Sequence, residues 1–379
     1  MSRSKQKLVI AGAYGCGNAG DDAILAGLLK LFSPDNYNIT VFTADPDQTR
    51  RQFGVHPVQQ KLNVGFSLRI ARDFQFIHII KAICAADILI IGGGALIHDL
   101  RVYNLPYFFA LHALASMAGA RIFYYGIGAG PLTTPLGRWL CRRMLSKADH
   151  LSVRDDEGKV WLEKAGVHTN IQVTADPAFA LTEEDVPGQT VQALCDREGV
   201  PRSFISTTLC GWFQSADFWN REKLDLSRRI ERMAEIYSTI IEKYKIDILF
   251  IPTVVPYDRD IAVRIQKQMR QPSRFHFLSR DYPPAVLMGV IGRSRWLLGM
   301  RLHSMIFATI LAIPFAAIIY DQKVTNYLKR VHNTHAIDLR ELDTDKIYNT
   351  INTMLADKKA LKDRFRKLSA EFHRSLYRE

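Results

Sequence analysis

Residues 12–22 read Gly12-Ala13-Tyr14-Gly15-Cys16-Gly17-Asn18-Ala19-Gly20-Asp21-Asp22. They lie between the apolar run Leu8-Val9-Ile10-Ala11 and the helical run Ala23-Ile24-Leu25-Ala26-Gly27-Leu28-Leu29. Apolar run, glycine turn and helix make the opening of a βαβ unit. In that context Gly15-x-Gly17-x-x-Gly20 matches the dinucleotide-binding fingerprint. Asp45 even follows the next strand candidate, residues 38–44. The two residues after the last glycine read against a dinucleotide. A pyrophosphate is held by free N–H groups and the positive end of a helix dipole, and Asp21 and Asp22 put negative charge where it would lie. The loop is expected to start a helix and present carboxylates, with Asp21 either facing a ligand or capping the helix.

Outward from this loop the same rhythm continues. Strand candidates lie at 7–11, 39–43, 88–91, 121–125, 151–153 and 171–174, with helical segments at 66–84, 105–118, 135–147 and 156–165. Residues 182–202 interrupt it with Glu183-Glu184-Asp185, Pro187-Gly188 and Pro201. It restarts with strands at 204–209, 247–251, 275–278, 296–298, 315–319 and 336–339, and helices at 222–244 and 257–270. Such alternation predicts parallel sheets covered by helices on both faces. The expected organisation is α/β: a Rossmann-like lobe over residues 1–181, a linker over 182–202, a second Rossmann-like lobe over 203–342 and a basic amphipathic helix over 343–379, with a central cleft. A chain of 379 residues is too long for one ordinary core, which agrees.

Composition narrows the class. Apolar content of 47% and charged content of 23% are those of a globular protein. No apolar run is long enough to span a bilayer and no basic-then-apolar leader opens the sequence, so a cytoplasmic location is expected. The five cysteines are scattered without metal-ligand spacing, which predicts neither a disulfide framework nor a metal site. Cys16 reads either as a nucleophile or as a small buried filler. The net charge of +12 points to nucleic acid, an anionic membrane face or an anionic substrate. Much of it is local, since residues 358–379 hold eight lysines and arginines against three acids. There Leu361, Phe365, Leu368, Phe372 and Leu376 recur at helical spacing. The reading adopted packs that apolar face on the protein itself; a place on a membrane stays open.

In open α/β sheets the ligand lies beyond the carboxyl ends of the strands. Seven unusual loops fall there: residues 12–22, 92–99 with Gly92-Gly93-Gly94 and His98-Asp99, Gly126-Ile127-Gly128-Ala129-Gly130-Pro131, Ser152-Val153-Arg154-Asp155, Ala175-Asp176-Pro177-Ala178, Gly299-Met300-Arg301-Leu302-His303-Ser304 and Tyr320-Asp321-Gln322-Lys323. Together they predict a cleft lined by Asp21, Asp99, Arg154, Arg301, His303 and Lys323. Arg301 and His303 stand two apart in what reads as an extended segment, on one side, with Leu302 turned to the core and Ser304 opening an apolar helix. A guanidinium, an imidazole and a helix N-terminus would make an anion site beside a proton donor. The plainer readings are that Arg301 pairs with a carboxylate, His303 is a buried hydrogen-bonding residue, Arg154 pairs with Asp155, Lys323 is solvated and Asp99 caps a helix.

These motifs resemble those of the polysaccharide pyruvyl transferase family, in particular its CsaB type. The matching stretches are Gly17-Asn18-Ala19-Gly20-Asp21-Asp22-Ala23-Ile24-Leu25, Gly92-Gly93-Gly94 with Asp99, Gly126-Ile127-Gly128, Ser152-Val153-Arg154-Asp155, Ala175-Asp176-Pro177-Ala178, Arg301-Leu302-His303 and Tyr320-Asp321-Gln322-Lys323-Val324. They run in order from about residue 8 to residue 330 and are specific as a set. Two positions depart from the pattern: His98 stands where glutamine is expected, and Gln322 where proline is usual.

The resemblance implies a glycosyltransferase B-like fold whose last helix returns to the first lobe. It implies transfer of pyruvate from phosphoenolpyruvate onto two hydroxyls of one sugar as a cyclic ketal. The sugar would be N-acetylmannosamine of a lipid-linked precursor, and the enzyme peripheral at the inner face of the plasma membrane. Phosphoenolpyruvate would meet Arg154, Arg301, Lys323 and a helix N-terminus, with Leu302, Asn18, Gly93 and Gly94 also against substrate. His303 would protonate the methylene carbon, and Asp99 or Asp21 would accept the hydroxyl proton. No cofactor and no metal is expected, and no nucleic acid partner. Three other readings stay open. A nucleotide-sugar-dependent glycosyltransferase shares the fold, an NAD-dependent oxidoreductase rests on the glycine fingerprint, and a non-enzymatic anion or nucleic-acid binder rests on charge alone.

Overall fold

The computed structural model describes residues 5–60, 75–100, 104–210, 226–255 and 257–377. The chain divides into two compact units: Met1–Cys16 with Asp21–Ala180 and Phe372–Glu379, and Gly17–Gly20 with Leu181–Glu371.

The first unit is built on strands β1 (Gln6–Tyr14), β2 (Tyr37–Thr43), β3 (His56–Gln59), β4 (Ile88–Gly92), β5 (Ala95–Ile97), β6 (Arg121–Ala129), β7 (His150–Val153) and β8 (Gln172–Val173). Their order is β3-β2-β1-β4-β6-β7-β8, every pair parallel, with β5 on β6 outside this path. Leu8 lies opposite Ile39 and Ile88, so three apolar runs meet in register. Val9, Ala11, Leu89, Ile91, Ile122 and Tyr124 turn to one face and pack with Phe108, Leu111 and Leu140 from the covering helices. Both faces are buried, which is why these strands read as continuous apolar runs.

The second unit repeats the plan with β9 (Phe204–Thr208), β10 (Asp247–Phe250), β11 (Phe275–Phe277), β12 (Leu297–Gly299), β13 (Phe315–Ile319) and β14 (Ala336–Asp338). The order is β11-β10-β9-β12-β13-β14, again parallel. This is the doubly wound order, and it reverses between β1 and β4 in one unit and between β9 and β12 in the other.

Several elements differ from the sequence reading. Strands β3 and β5 were not expected; both are short, and β3 carries His56 and Pro57. The expected helix at 66–84 is seen from Gln75 to Cys84, and that at 222–244 from Leu226 to Tyr244; residues 66–74 and 222–225 lie outside the described residues. Residues 182–202 are more than a linker. They hold the helix Gly188–Glu198, whose Val191, Leu194 and Cys195 are buried in the second unit, with Val191 against Gly289. Its polar flanks hid three inward-facing apolar positions at helical spacing. The tail is two helices, Thr344–Ala356 and Lys358–Leu376, because Asp343 caps the first by accepting from the N–H groups of Asp345 and Lys346 and the chain turns at Asp357. In the last helix Phe365 stacks on Phe315 in the second unit. Phe372 meets Phe179 in the first unit, where His373 Nδ1 also lies 3.0 Å from the Phe179 carbonyl.

Candidate active site

In the first unit the strand-order reversal is flanked by the loops after β1 and β4. Strand β1 runs further than expected, through Tyr14, whose hydroxyl donates to the Gly92 carbonyl at 2.6 Å. The turn is therefore Gly15–Asn18, and the helix Ala19–Leu31 starts before the aspartates. Asn18 supplies the cap by accepting from Gly20 N at 3.1 Å, so neither Asp21 nor Asp22 is the cap. Asp22 is buried and accepts from Gly15 N at 3.1 Å, closing the loop on itself. Asp21, half-buried, stands in the first turn. Gly93 and Gly94 take left-handed backbone (φ 62° and 69°), which folds the strand end back on β6 through a bond from Gly128 N to the Gly94 carbonyl. A Cβ on Gly94 would stand 3.3 Å from Asp21 Oδ1, and one on Gly128 would stand 3.1 Å from Arg154 Nη2. Asp21, Gly94 and Arg154 are thus neighbours, although 60 to 133 residues separate them in sequence.

Arg154 is buried and its Nη1 pairs with Asp176 at 3.1 Å, while Asp155 lies 3.8 Å from Nε. Its main partner is Asp176 rather than Asp155. Burial works against the guanidinium charge, but Asp176, then Asp155, and more distantly Asp21, outweigh it and hold the group above its ordinary value. Asp99 stands apart from this cluster. Its carboxylate accepts from Thr134 N, Thr134 Oγ1 and Thr133 Oγ1, and so fastens the turn before the helix Pro135–Leu145. Partial burial raises its pKa, but those hydrogen bonds outweigh it and hold the carboxyl below the usual range. His98, beside it, is buried. Cys16 is exposed rather than a buried filler; partial desolvation of its sulfur by the loop, with Asp21 and Asp22 adding, pushes its pKa up to about 11, which disfavours the thiolate.

In the second unit the reversal is flanked by the ends of β9 and β12. The helix there is Leu302–Ile310, with Arg301 at its cap position, so only Arg301 is extended and Leu302 and His303 are already helical. The helix starts two residues early because Ser304 and Thr208, both buried, tie its first turn down. Ser304 Oγ donates to the Arg301 carbonyl at 2.7 Å and lies 2.8 Å from Thr208 Oγ1, which also accepts from Arg301 N at 3.3 Å. Leu302 is turned inward and buried. His303 stands in the first turn, and its ring lies against Gly20: a Cβ on Gly20 would collide with His303 Nδ1. Only glycine permits that approach.

Arg301 Nη2 donates to Asp258 Oδ1, and its Nε donates to the Leu209 carbonyl at 3.2 Å. Nη1 makes no hydrogen bond among the described residues, and the side chain is 18% exposed. Asp258 is fully buried; its other oxygen accepts from Thr253 N, Thr253 Oγ1 and Val254 N. The Thr253 carbonyl in turn accepts from Ala19 N at 2.9 Å, and Asn18 pairs with Val254 as an isolated bridge. One carboxylate therefore holds the arginine and the strand-end loop on which Gly17–Gly20 rests. Burial disfavours the Arg301 charge, and Asp258, followed by Cys210 and Tyr320, more than restores it. Asp258 escaped the sequence reading, which passed over the end of β10; an acid in the first turn of a helix after a strand was the available signal.

Lys323 lies in the first turn of the helix Gln322–Arg330, which Asp321 caps. Its Nζ is 3.4 Å from Asp321 Oδ2 and 5.2 Å from the Tyr320 ring centroid, and it is one-third exposed. Burial opposes its charge, but Tyr320 and Asp321 keep it protonated. No group of three or more histidine, cysteine or acidic side chains arranged to hold a metal occurs among the described residues.

Two doubly wound units with polar clusters at their strand-order reversals define a glycosyltransferase B-type fold, and solved structures share it. UDP-GlcNAc 2-epimerase of Methanocaldococcus jannaschii superposes with a TM-score of 0.66 at 14% identity, covering 97% of this chain and 98% of that one. HepE of Anabaena, solved with UDP and glucose, gives 0.62 at 11% identity over 98% and 95%. At such identities the likeness is one of fold. Residues 18–322 match the polysaccharide pyruvyl transferase family, and the chain belongs to it. It is also similar to the amylovoran biosynthesis protein AmsJ of Erwinia amylovora, 22% identical over 92% of each chain.

Proposed function

We propose that this protein transfers the enolpyruvyl carbon skeleton of phosphoenolpyruvate to two hydroxyls of a sugar, forming a pyruvate ketal and releasing phosphate. The observation that carries this reading is Arg301, clamped by buried Asp258 at the N-terminus of Leu302–Ile310 with His303 in the same turn. A guanidinium with one nitrogen uncommitted, at a helix N-terminus, suits a small polyanion. Lys323 adds a point charge. Arg154, gripped by Asp176, faces Asp21 and orders the acceptor loop with Gly93 and Gly94.

In the reaction, the His303 imidazolium gives its proton to the methylene carbon as the neighbouring carbon gains oxocarbenium character. A sugar hydroxyl attacks that carbon and loses its proton to Asp21. Cleavage of the carbon–oxygen bond releases phosphate, which takes the proton held by Asp21, and the second hydroxyl closes the ring by giving its proton to the now neutral His303. We assign the base to Asp21, which lies beside Gly94 at the strand-order reversal, whereas Asp99 fastens the Thr133-Thr134 turn. The acceptor is read as a cell-wall or exopolysaccharide precursor on a lipid carrier, with N-acetylmannosamine as the sugar the resemblance favours; kinship with AmsJ supports an exopolysaccharide setting. The protein would then work at the inner membrane face. Among the described residues no helix is long and apolar enough to cross a membrane.

Incubating the protein with phosphoenolpyruvate and lipid-linked saccharides, and following phosphate release, tests the reading. Release that needs the saccharide is expected. Transfer from UDP-glucose in place of phosphoenolpyruvate would overturn it.

A further inference from the structure

We propose that the outer face of the helix Pro135–Leu145, together with the start of the helix Gln75–Cys84, is the surface through which the first unit docks on an anionic lipid bilayer. The proposal rests on the lipid-linked acceptor of the preceding section and assigns the side chains that would bring the protein to it.

Leu136 is 64% exposed and Trp139 48% exposed. They stand three apart and Arg143 stands seven from Leu136, so the three form one stripe of the helix. Right-handed crossovers place Gln75–Cys84, Asn104–Met117 and Pro135–Leu145 side by side on one face of the sheet, with Asn104–Met117 packed against both of the others. The Trp139 ring lies 6.2 Å from that of Phe109 on the middle helix. Phe76 and Ile77, 39% and 45% exposed, stand at the start of the third. Single exposed apolar side chains need no explanation; a run of them over adjacent helices marks a contact surface.

Charge chooses the partner. Pro135–Leu145 carries Arg138, Arg142 and Arg143 and no acid, and Asn104–Met117 carries no lysine, arginine or acid. Among the described residues neither Arg142 nor Arg143 makes an ion pair, and both are exposed. Asp99 accepts from Thr133 and Thr134, and Asp149 from Ile122 N at 2.7 Å, and among the described residues neither pairs with these arginines. Tryptophan and leucine beside arginines is the side-chain chemistry that settles at a headgroup boundary and draws anionic lipid. The last helix is more basic, but Leu361, Phe365, Phe372 and Leu376 are buried in the protein, so it offers charge without an apolar stripe.

Position agrees with use. The helix starts at the turn that Asp99 fastens, on the edge of the sheet where Gly93, Gly94 and Asp21 lie. Resting on this face brings that edge to the headgroups, where a saccharide on a lipid carrier emerges.

The test is sedimentation of the full chain with vesicles of phosphatidylcholine alone or mixed with phosphatidylglycerol. Binding to the mixed vesicles is expected, with Trp139 fluorescence quenched by brominated acyl chains and that quenching lost in Trp139→Phe. Leu136→Gln/Trp139→Gln and Arg142→Gln/Arg143→Gln should each weaken binding at least tenfold, with unchanged melting temperature and unchanged phosphate release on a water-soluble saccharide. The surface assignment is overturned if wild type ignores both vesicles, if these variants bind as wild type does, or if Lys359→Gln/Lys367→Gln alone removes binding. It is overturned equally if, without lipid, the protein is a dimer that Leu136→Gln/Trp139→Gln dissolves, since a second copy would then own the face. Failure of every saccharide to elicit phosphate release, with vesicle binding lost as described, would sink the proposed reaction and leave the surface standing.

Discussion

Arg301 and Asp258 are 43 residues apart in sequence and form one hydrogen-bonded ion pair. The planar fork must give one nitrogen to Asp258 while another stays available to an anion. An ammonium cannot do both, so Arg301→Lys should weaken phosphoenolpyruvate binding nearly as much as Arg301→Ala. A charge-assisted hydrogen bond is worth about 1.5–3 kcal/mol, so titration calorimetry should show a loss of roughly ten- to hundredfold. Asp258→Ala removes the partner of a mostly buried charge and should cost about 3 kcal/mol or somewhat less in urea unfolding, because Arg301 keeps some contact with water. His303→Ala should slow turnover by roughly a hundredfold, the scale of general acid catalysis, with donor affinity little changed. Gly20→Ala forces the imidazole aside and should lower turnover on a similar scale, since displacing a reacting group by an ångström can cost that much. A Gly20→Ala protein of normal activity would show that the ring's present position is not the working one.

At the scale of the element, the hydrogen bonds of the loop after β1 bear on the dinucleotide reading. Ala19 N is bonded to the Thr253 carbonyl and Gly20 N to Asn18 Oδ1, while Gly15 N is bonded to Asp22. Three N–H groups of the loop are thus taken from a pyrophosphate, and Asp21 and Asp22 add negative charge, so calorimetry with NAD and NADP should show no binding. Asp99 gives a second element-scale prediction. Its carboxyl is held below its ordinary value, so the stability it lends the Thr133-Thr134 turn is present above its unfolded pKa of about 3.9 and lost as pH falls through the lower folded value. Asp99→Asn should melt earlier than wild type at pH 7, and the gap should close in acid. Strands were legible in the sequence wherever both faces are buried, as at 88–91 and 315–319. Three-residue β5 offers too little pattern to see, and the helix start at Arg301 was misplaced because buried Ser304 and Thr208 fix it.

Over the whole molecule, the doubly wound plan appears twice, and each copy sets its polar cluster at the strand-order reversal. Arg154, Asp21 and the glycines of 92–94 gather in the first; Arg301, His303, Asp258 and the segment Gly17–Gly20 gather in the second. Six of the candidate positions came from strand ends alone, because topology dictates where those ends meet. Asp176 lies in a strand-end loop that was read as well, but Asp258 was not, and neither ion pair was foreseen, since pairing across 22 and 43 residues depends on packing that no local spacing encodes. The most direct measurement of the proposed chemistry is magnetic resonance of the product formed from phosphoenolpyruvate and a saccharide acceptor in deuterated water. A proton delivered to the methylene carbon from the protein exchanges with solvent, so a ketal is predicted whose methyl group carries one deuteron, and both ketal and phosphate should fall together in His303→Ala and Arg301→Lys. Phosphate without a ketal, a methyl group free of solvent deuterium, or an undiminished yield from His303→Ala would contradict the account.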